Sequence, residues 1–380
     1  MIVIKEKSAC CGCQACKMAC PAKCISMVYD NEGFLYPKVN QADCLDCHLC
    51  EKTCPLLNKT AVRDTAPAAC FAAISKDVET RLLSSSGGVF SLLAESIIKQ
   101  GGVVFGARFD DQFSVYHSCT ETIDDLAPLR GSKYAQSDLR NSYSQVRQFL
   151  KEKRPVLFTG TPCQIAGLRG YLQNKDDDNL FLVSVVCHGA PSPQVWEEYL
   201  KCVTNGAQAT AVSMRDKSEG WSRYKMVITR NHENCLNTTA TDTPFMRAFL
   251  SNLTLRPSCY SCQFRGDHGS DLTLGDYWGI EEIHPDMSDD KGTSLILVYT
   301  SKGQQLLSNL DLKLKESRYE DAVKGNPSIF YSAYRPVERT LFWRAFRRHG
   351  AKALNDYTTE NNTARVRRLW ARLLRKFRIG

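Results

Sequence analysis

Eight of the eighteen cysteines in this chain stand in two copies of one pattern, C-x2-C-x2-C-x3-C-P. The first copy closes on Pro21 and the second on Pro55. A cubane cluster needs four thiolates around a compact core. The two-residue spacings let one tight loop present three sulfurs to one cluster, while the fourth cysteine of each run ligates the other cluster. The duplicated pattern therefore predicts two [4Fe–4S] clusters within residues 1–60.

The pattern also assigns the ligands of each cluster. One cluster is predicted to bind Cys10, Cys13, Cys16 and Cys54, and the other Cys44, Cys47, Cys50 and Cys20. The segments ISMVY and FLYPKV between the two copies predict a hairpin that turns at residues 30–33. A pair of four-cysteine zinc sites also uses CxxC spacing, but two complete copies with the terminal proline favour iron–sulfur clusters. Cys11 and Cys24 lie outside the pattern and are predicted to be thiols that bind no metal.

The rest of the sequence indicates the cellular compartment in which these cysteines function and the kinds of partner the chain can bind. The N-terminal segment MIVIKEKSACCGC offers no apolar signal-peptide core, and no apolar run approaches the 18 or so residues of a membrane span. We therefore expect a cytoplasmic protein, in which thiols stay reduced and clustered cysteines bind metal. The formal net charge is +8. Residues 364–380 carry seven basic side chains and no acid, so the charge belongs to a tail and does not indicate a nucleic-acid groove.

Three regions follow from the pattern of segments: a ferredoxin-like α+β domain at 1–60, an α/β domain at 67–310, and a helical extension at 311–380. Residues 58–66 are polar and are predicted to form a linker. Strands are predicted at 101–109, 155–160, 180–187 and 294–300, and helices at 89–99, 141–152, 161–173, 192–203 and 301–310. Alternation of this kind is typical of a mixed or parallel sheet.

Four further cysteines fall in unusual settings within the predicted α/β domain. Cys163 follows one predicted strand, Cys187 ends another, and Cys259 and Cys262 form a CxxC pair. The carboxyl ends of neighbouring strands are where α/β sheets build their sites, so a four-cysteine site is one interpretation. The alternatives are a buried small residue at Cys163 and a two-cysteine redox pair at Cys259 and Cys262.

The order of six motifs resembles that of the coenzyme F420 hydrogenase/dehydrogenase beta-subunit family, through about residue 300. The motifs are SSSGGVFS (84–91), RGSKYAQS (130–137), TGTPCQIAGLR (159–169), VCHGAPSP (186–193), CYSC (259–262) and SDLTLGDYWG (270–279). The resemblance implies an iron–sulfur flavoprotein oxidoreductase that binds FAD. It also implies a third [4Fe–4S] cluster on the cysteines at positions 163, 187, 259 and 262.

The flavin ligands are predicted from the same motifs. Ser86, Gly87 and Gly88 precede a helix, whose N-terminal N–H groups favour an anion such as a diphosphate; an ordinary capped helix is the alternative. Lys133 and Tyr134 offer a cation and an aromatic ring, or form a surface pair. The remaining predicted polar groups are Gly160, Thr161 and Gln164 beside Cys163, and Asp276, which contacts a ribose or stabilises a turn. The sequence has neither a Rossmann GxGxxG nor a Walker loop.

Electrons are expected to pass between the ferredoxin-type clusters, the third cluster and FAD, with hydride exchange to F420 or another small molecule. No catalytic acid or base can be assigned; His188 is a candidate, with a packed histidine as the alternative. The segment RDKSEGW (215–221) and the C-terminal extension depart from the hydrogenase subunits, which leaves the substrate open.

A rival function is a non-catalytic electron-transfer subunit of a larger redox complex. In either case we expect an electron-exchanging protein or subunit as partner. The amphipathic pattern of the basic tail predicts contact with an anionic membrane surface or, alternatively, docking on a protein surface.

Overall fold

The computed structural model describes residues 1–58, 67–175, 177–266 and 268–358. The helices are α1 (Ala15–Ala19), α2 (Leu49–Thr53), α3 (Val78–Leu82), α4 (Val89–Lys99), α5 (Ser142–Lys151), α6 (Pro162–Tyr171), α7 (Pro193–Val203), α8 (Pro244–Leu250), α9 (Ile280–Ile283), α10 (Ser301–Ser308), α11 (Tyr319–Gly325), α12 (Arg339–His349) and α13 (Lys352–Thr358). The strands are β1 (Ile25–Tyr29), β2 (Leu35–Val39), β3 (Ala69–Ser75), β4 (Val103–Phe109), β5 (Val115–Thr120), β6 (Val156–Gly160), β7 (Leu180–Val185), β8 (Ala211–Asp216), β9 (Lys225–Arg230), β10 (Glu233–Thr239), β11 (Leu272–Asp276), β12 (Ser294–Val298) and β13 (Leu312–Glu316).

The two cysteine runs fold alike. Each contributes a short helix, α1 or α2, that begins after a residue with left-handed backbone: Gln14 at φ 57° and His48 at φ 58°. Each helix ends one residue before the fourth cysteine of its run, which caps its C-terminus. Between them β1 and β2 pair antiparallel, and the Asp30 carboxylate accepts hydrogen bonds from the backbone N–H groups of Glu32 and Phe34, both at 2.9 Å. The predicted hairpin is therefore confirmed.

An eight-stranded mixed sheet forms the centre of the remaining chain, in the order β13-β3-β12-β11-β7-β6-β4-β5. β4, β6, β7 and β11 run parallel to their neighbours within this set, and the outer pairs are antiparallel. The apolar run at 156–158 in β6 is fully buried, as expected of a strand covered on both faces. The prediction of a mixed α/β sheet is confirmed.

Helices cover both faces of this sheet. On one face α4 buries Leu93 and Ile97. On the other face α5 and α6 pack on the sheet, and residues of the N-terminal segment, including Cys13 and Ala15, join the same apolar core. Helix α6 approaches this segment closely through glycines: a Cβ at Gly170 would lie 2.3 Å from the Thr53 carbonyl oxygen. The N-terminal segment is thus packed directly against helix α6, on one face of the main sheet.

A second layer adjoins the main sheet. The antiparallel sheet β10-β9-β8 packs with α7, α8, α12 and α13 around a core that contains Trp196 and Trp343. Phe34 of the N-terminal hairpin is fully buried in the same core. None of the helices in the described ranges has the length and apolar character required to span a bilayer.

Two local predictions are corrected by the structure, and a third concerns residues that the structure does not describe. Residues 312–316, predicted to be helical, form the edge strand β13, which pairs antiparallel with β3. Strand β7 ends at Val185, so Cys187 lies in the following loop rather than within the strand. Residues 59–66 of the predicted linker and the predicted basic tail at 364–380 lie outside the described residues, and the division into three domains stays a prediction.

Candidate functional site

One predicted cluster site is a surface pocket with about 330 Å³ of empty space, part of it open to solvent. Its lining includes all four cysteines assigned to the second cluster, Cys20, Cys44, Cys47 and Cys50. We call these the outer group; its Cys47 is exposed. Cys24 also lines the pocket, with its Sγ 3.4 Å from that of Cys20, and this contact raises the pKa of Cys24 to about 11. A thiol predicted to bind no metal therefore lies directly beside the outer group.

The cysteines assigned to the first cluster form a more deeply buried inner group of Cys10, Cys13, Cys16 and Cys54. Cys16 interacts electrostatically with Cys10 and Cys54, and Cys13 interacts with Cys16 and Cys54. Burial raises the pKa of Cys16 to about 12. Cys50 of the outer group interacts with both Cys16 and Cys54, so the inner and outer groups are neighbours.

The third predicted set is also brought together by the fold. Cys187 interacts electrostatically with Cys163, Cys259 and Cys262, although these positions span a hundred residues. Cys163 lies in the first turn of α6 after β6, Cys187 follows β7, and a 3₁₀ helix at Pro257–Ser261 carries Cys259. Burial raises the pKa of Cys259 to about 12. Because β6 and β7 pair in parallel, this sheet group lies at their shared carboxyl edge.

Cys11 connects the inner group to the sheet group. Its side chain is 6% exposed and interacts with Cys13 on one side and with Cys163 on the other. These contacts together with burial raise the pKa of the Cys163 thiol, the contact with Cys11 first. The sequence places Cys11 next to Cys10 but gives no sign of its proximity to a residue more than 150 positions away.

The chemistry of these groups fits iron–sulfur clusters. Within the described residues, no group of three or more His, Cys, Asp and Glu side chains is spaced to hold a single metal ion. A cubane core is larger than one ion and holds its four sulfur ligands farther apart than a zinc ion does. Buried thiols this close to one another cannot all ionise without cations, and a bound metal provides that compensation.

The predicted diphosphate loop is more tightly packed than the sequence suggests. Gly87 donates its backbone N–H to Ser294 Oγ at 2.9 Å, and a Cβ there would lie 2.2 Å from the Ala73 carbonyl oxygen. Ser86 Oγ donates to the Thr293 carbonyl at 2.9 Å. Gly88 has φ 93° and precedes α4. These contacts explain both glycines by packing and backbone conformation, and the N–H group of Gly87 is already occupied.

Tyr134 and Asp276, predicted separately, are joined by a residue that the sequence did not single out. The buried Arg215 guanidinium lies 2.7 Å from Asp276 Oδ2 and donates to Tyr134 Oη at 3.1 Å. Its Nε and Nη2 atoms are buried without a partner in the described structure. Trp221 donates to Asp276 Oδ1 at 3.2 Å and stacks on Trp278, with 4.5 Å between ring centroids.

Lys133 belongs to a second cationic cluster near the end of β4. Its Nζ donates to the carbonyls of Pro128 and Arg130 at 2.8 and 2.7 Å. Burial, with a contribution from Arg108, lowers the pKa of Lys133 to about 7. The Nε of Arg108 is buried and has no partner in the described ranges. Lys133 therefore does not form a surface pair with Tyr134.

The polar residues beside Cys163 organise the start of α6. The Thr161 backbone N–H donates to Gln164 Oε1 at 2.9 Å, and Gln164 Nε2 donates to Ser137 Oγ at 2.8 Å. Thr161 Oγ1 lies 3.3 Å from Cys163 Sγ. Gly160 ends β6, and a Cβ there would contact Gln164. These residues hold the helix that carries Cys163.

His188, the candidate acid or base, is held in a packed position. Its Nε2 lies 2.6 Å from Asn252 Oδ1, and its ring makes an edge-to-face contact with Phe249 at 5.1 Å between centroids. Burial lowers the pKa of His188. These contacts match the alternative of a packed histidine.

Two family models match the chain. Residues 153–321 match the model for the C-terminal part of the beta subunit of coenzyme F420 hydrogenase/dehydrogenase, and residues 9–57 match the 4Fe-4S dicluster domain. A solved structure of the F420-reducing [NiFe] hydrogenase complex from Methanosarcina barkeri is 15% identical, with a TM-score of 0.48, over 70% of this chain and 90% of that chain. No curated protein matches the sequence.

The two family matches define the class of protein: an iron–sulfur protein from a family of oxidoreductases. More narrowly, residues 153–321 are assigned to the coenzyme F420 hydrogenase/dehydrogenase beta-subunit family, and the N-terminal segment carries a 4Fe-4S dicluster domain. The family expected from the motifs is therefore confirmed.

Proposed function

We propose that the protein is an iron–sulfur flavoprotein oxidoreductase with three [4Fe–4S] clusters and one FAD. The observation that carries the proposal is the arrangement of twelve cysteines in three adjacent groups. The outer group opens to solvent, the inner group adjoins it through Cys50, and Cys11 links the inner group to the sheet group. Such a series gives electrons a route from the protein surface to the carboxyl edge of the main sheet.

The flavin is proposed to bind near that edge. FAD exchanges single electrons with clusters and hydride with organic substrates, which makes it the natural junction between the two. Arg108 and Arg215 have buried guanidinium N–H groups with no hydrogen-bond partner in the described structure. These N–H groups are therefore available to an anionic ligand. Tyr134, Lys133 and Asp276 border those arginines. We infer that the arginines hold the anionic part of FAD, with Ser86–Gly88 shaping the loop beside them.

The class of substrate and the kind of partner are inferred from the family. The family name supports hydride exchange with F420, and a different small conjugated molecule is the alternative. The name also describes a beta subunit, which supports an electron-exchanging protein partner. The rival function is a subunit that only relays electrons and has no hydride chemistry of its own.

Quantitation of iron, acid-labile sulfide and flavin on anaerobically purified full-length protein tests the proposal. We expect about twelve irons and one FAD per chain, from three four-iron clusters. About eight irons without flavin would leave a two-cluster electron carrier and contradict the proposal.

Hydride chemistry is tested separately on the flavin-loaded protein. Reduced F420, and as a second donor NADH, is added anaerobically while the flavin absorbance is followed. Bleaching by reduced F420 supports the F420 assignment. Bleaching by dithionite alone favours the electron-relay rival or a different hydride donor.

A further inference from the structure

Arg256 is a buried arginine that connects the inner group with the sheet group. It is 1% exposed and directly precedes the 3₁₀ helix at Pro257–Ser261 that carries Cys259. Its carbonyl oxygen accepts a hydrogen bond from the Cys259 backbone N–H at 2.9 Å, and its own N–H donates to the Ala190 carbonyl at 2.9 Å. The backbone of Arg256 is therefore fixed within the sheet group.

The side chain of Arg256 extends from the sheet group to the inner group. Its Nε donates to the Cys10 carbonyl at 2.7 Å, and its Nη2 lies 3.4 Å from Cys10 Sγ. The remaining bonds go to Gln136 Oε1 at 2.9 Å and the Leu35 carbonyl at 3.0 Å. The guanidinium also lies over the Tyr36 ring, 4.2 Å from its centroid.

This guanidinium has an unusual electrostatic setting. Within the described residues its four hydrogen bonds go to carbonyl, amide and thiol groups, and none goes to a carboxylate. A buried charge is costly unless an opposite charge lies close by. The groups near Arg256 that can carry negative charge include Cys10, Cys11 and Cys259. A thiolate-bound cluster at the inner group would supply the counter-charge that the protein side chains do not.

Gly12 provides the space for this approach. It has φ 77°, and a Cβ there would lie 2.7 Å from Arg256 Nη1 and 2.7 Å from Gln136 Nε2. The turn between Cys10 and Cys13 is thus shaped to admit the guanidinium. Gln136 also donates from Nε2 to the Cys11 carbonyl at 3.0 Å, so both residues hold this turn.

We propose that Arg256 is a positioning residue that raises the reduction potential of the cluster bound by the inner group. On reduction the cluster accepts one electron from a low-potential donor, breaks no bond to the protein, and becomes more negative by one charge. A fixed positive charge and an N–H contact to a ligand sulfur favour that reduced form. The inference rests on the inner-group cluster of the proposed function.

The test is an EPR-monitored redox titration with dithionite of the full-length, cluster-loaded protein and its Arg256→Gln variant. At the potential where the wild-type cluster is half reduced, we expect the ratio of reduced to oxidised cluster to fall about tenfold, which is ~59 mV for one electron. Arg256→Lys retains the charge without the planar fork, so a smaller change of about threefold in the same direction is expected.

Arg339→Gln is the matched control. Arg339 is also buried, at 4% exposed, and also ties the N-terminal hairpin to the larger part of the chain, but it pairs with the Glu32 carboxylate. Its hydrogen bonds in the described structure do not reach a cysteine. The control should leave every potential unchanged even if it lowers stability.

Several outcomes would overturn the proposal. Unchanged potentials in both Arg256 variants at full iron content would do so, and so would an equal shift in Arg339→Gln. Loss of iron from both Arg256 variants would also count against it, because the residue would then hold the cluster rather than adjust its potential. If the wild-type protein contains no inner-group cluster, the proposed function fails first, and iron quantitation reports that separately.

Discussion

At the scale of single residues, glycines with a left-handed backbone differ in how closely neighbouring groups approach them. Gly12 combines a left-handed backbone with contact to two side chains, whereas Gly131 at φ 82° has no heavy atom within 4 Å of its Cβ position. The two glycines therefore separate the cost of backbone conformation from the cost of crowding.

Gly12→Ala should cost more than Gly131→Ala. Each variant bears about 1 kcal/mol or more for a left-handed non-glycine residue, and crowding at Gly12 adds about 1–3 kcal/mol. Anaerobic thermal unfolding and iron content measure both effects. Equal destabilisation of the two variants would contradict the crowding of Arg256.

His117 should make stability depend on pH. Burial lowers its pKa from 6.5 to about 4, and its Nε2 lies 3.0 Å from the Thr159 carbonyl, as expected of a neutral ring that donates there. The unfolded chain takes up a proton that the folded chain refuses, so this contribution to stability is complete above about pH 6.5 and is lost as pH falls toward 4.

His117→Phe tests this pH dependence, because the ring stacks on Phe158 at 5.5 Å between centroids and a phenyl ring can retain that contact. Between pH 7 and 5.5 the wild type should lose about 1 kcal/mol more than the variant. Melting temperatures at the two pH values measure the difference. Parallel losses in both proteins would show that His117 is not the responsible group.

At the scale of elements, the periodic spacing of apolar residues predicted helices correctly where one face of the helix is buried. Helix α4 spans Val89–Lys99, as its apolar spacing indicated. Strand β13 was missed because LKLKE at an exposed edge buries only Leu312, and lysines on an edge strand resemble those on a helix surface. The cysteine spacing predicted the members of the outer and inner groups, and the fold brings the members of each group together.

Residues that the fold brings together from distant parts of the sequence followed no such pattern. The structure brings the sheet group together across a hundred residues. The strand ends left this set as one of several interpretations, and the family motifs favoured it. Arg215 and Arg256 were missed because a single arginine has no spacing signature. Their importance depends on burial and on partners that only the folded chain supplies.

Helix α6 illustrates how packing can override helix propensity. In an isolated helix Gly170→Ala would be favourable by about 1 kcal/mol. Here the new Cβ would lie 2.3 Å from the Thr53 carbonyl oxygen in α2. We expect a lower melting temperature and partial loss of iron, measured on anaerobically purified protein. A higher melting temperature with full iron content would show that α6 and α2 separate easily.

At the scale of the whole molecule, the three cysteine groups form a series that begins in a surface pocket. Exposed Cys47 belongs to the group that opens to solvent, whereas the sheet group adjoins the proposed flavin region. Loss of a cysteine from the outer group should therefore have a different effect from loss of a cysteine from the sheet group.

Under the proposed function, Cys47→Ala should remove about four irons per chain, the content of one cluster, and retain the proposed flavin. Reduction of the flavin by its hydride donor should persist, while electron transfer to an external one-electron acceptor such as methyl viologen should slow at least tenfold. Stopped-flow absorbance follows both steps. Cys202→Ala, at an exposed cysteine in α7 outside the three groups, is the control and should change neither step. Unchanged electron transfer to methyl viologen in Cys47→Ala, with the outer cluster lost, would place the outer group off the electron route.

The close contact between α6 and the N-terminal segment has a consequence for biogenesis. Cys13 and Cys16 are buried, and a Cβ at Gly167 would lie 3.0 Å from Cys13 Sγ, so these two members of the inner group are enclosed once the segment has packed on α6. The cellular machinery that delivers iron and sulfide needs access before this closure. Maturation of the protein is therefore expected to follow a fixed order, with cofactor insertion first and docking of the segment afterwards. Chains synthesised under iron starvation would close empty and resist later repair.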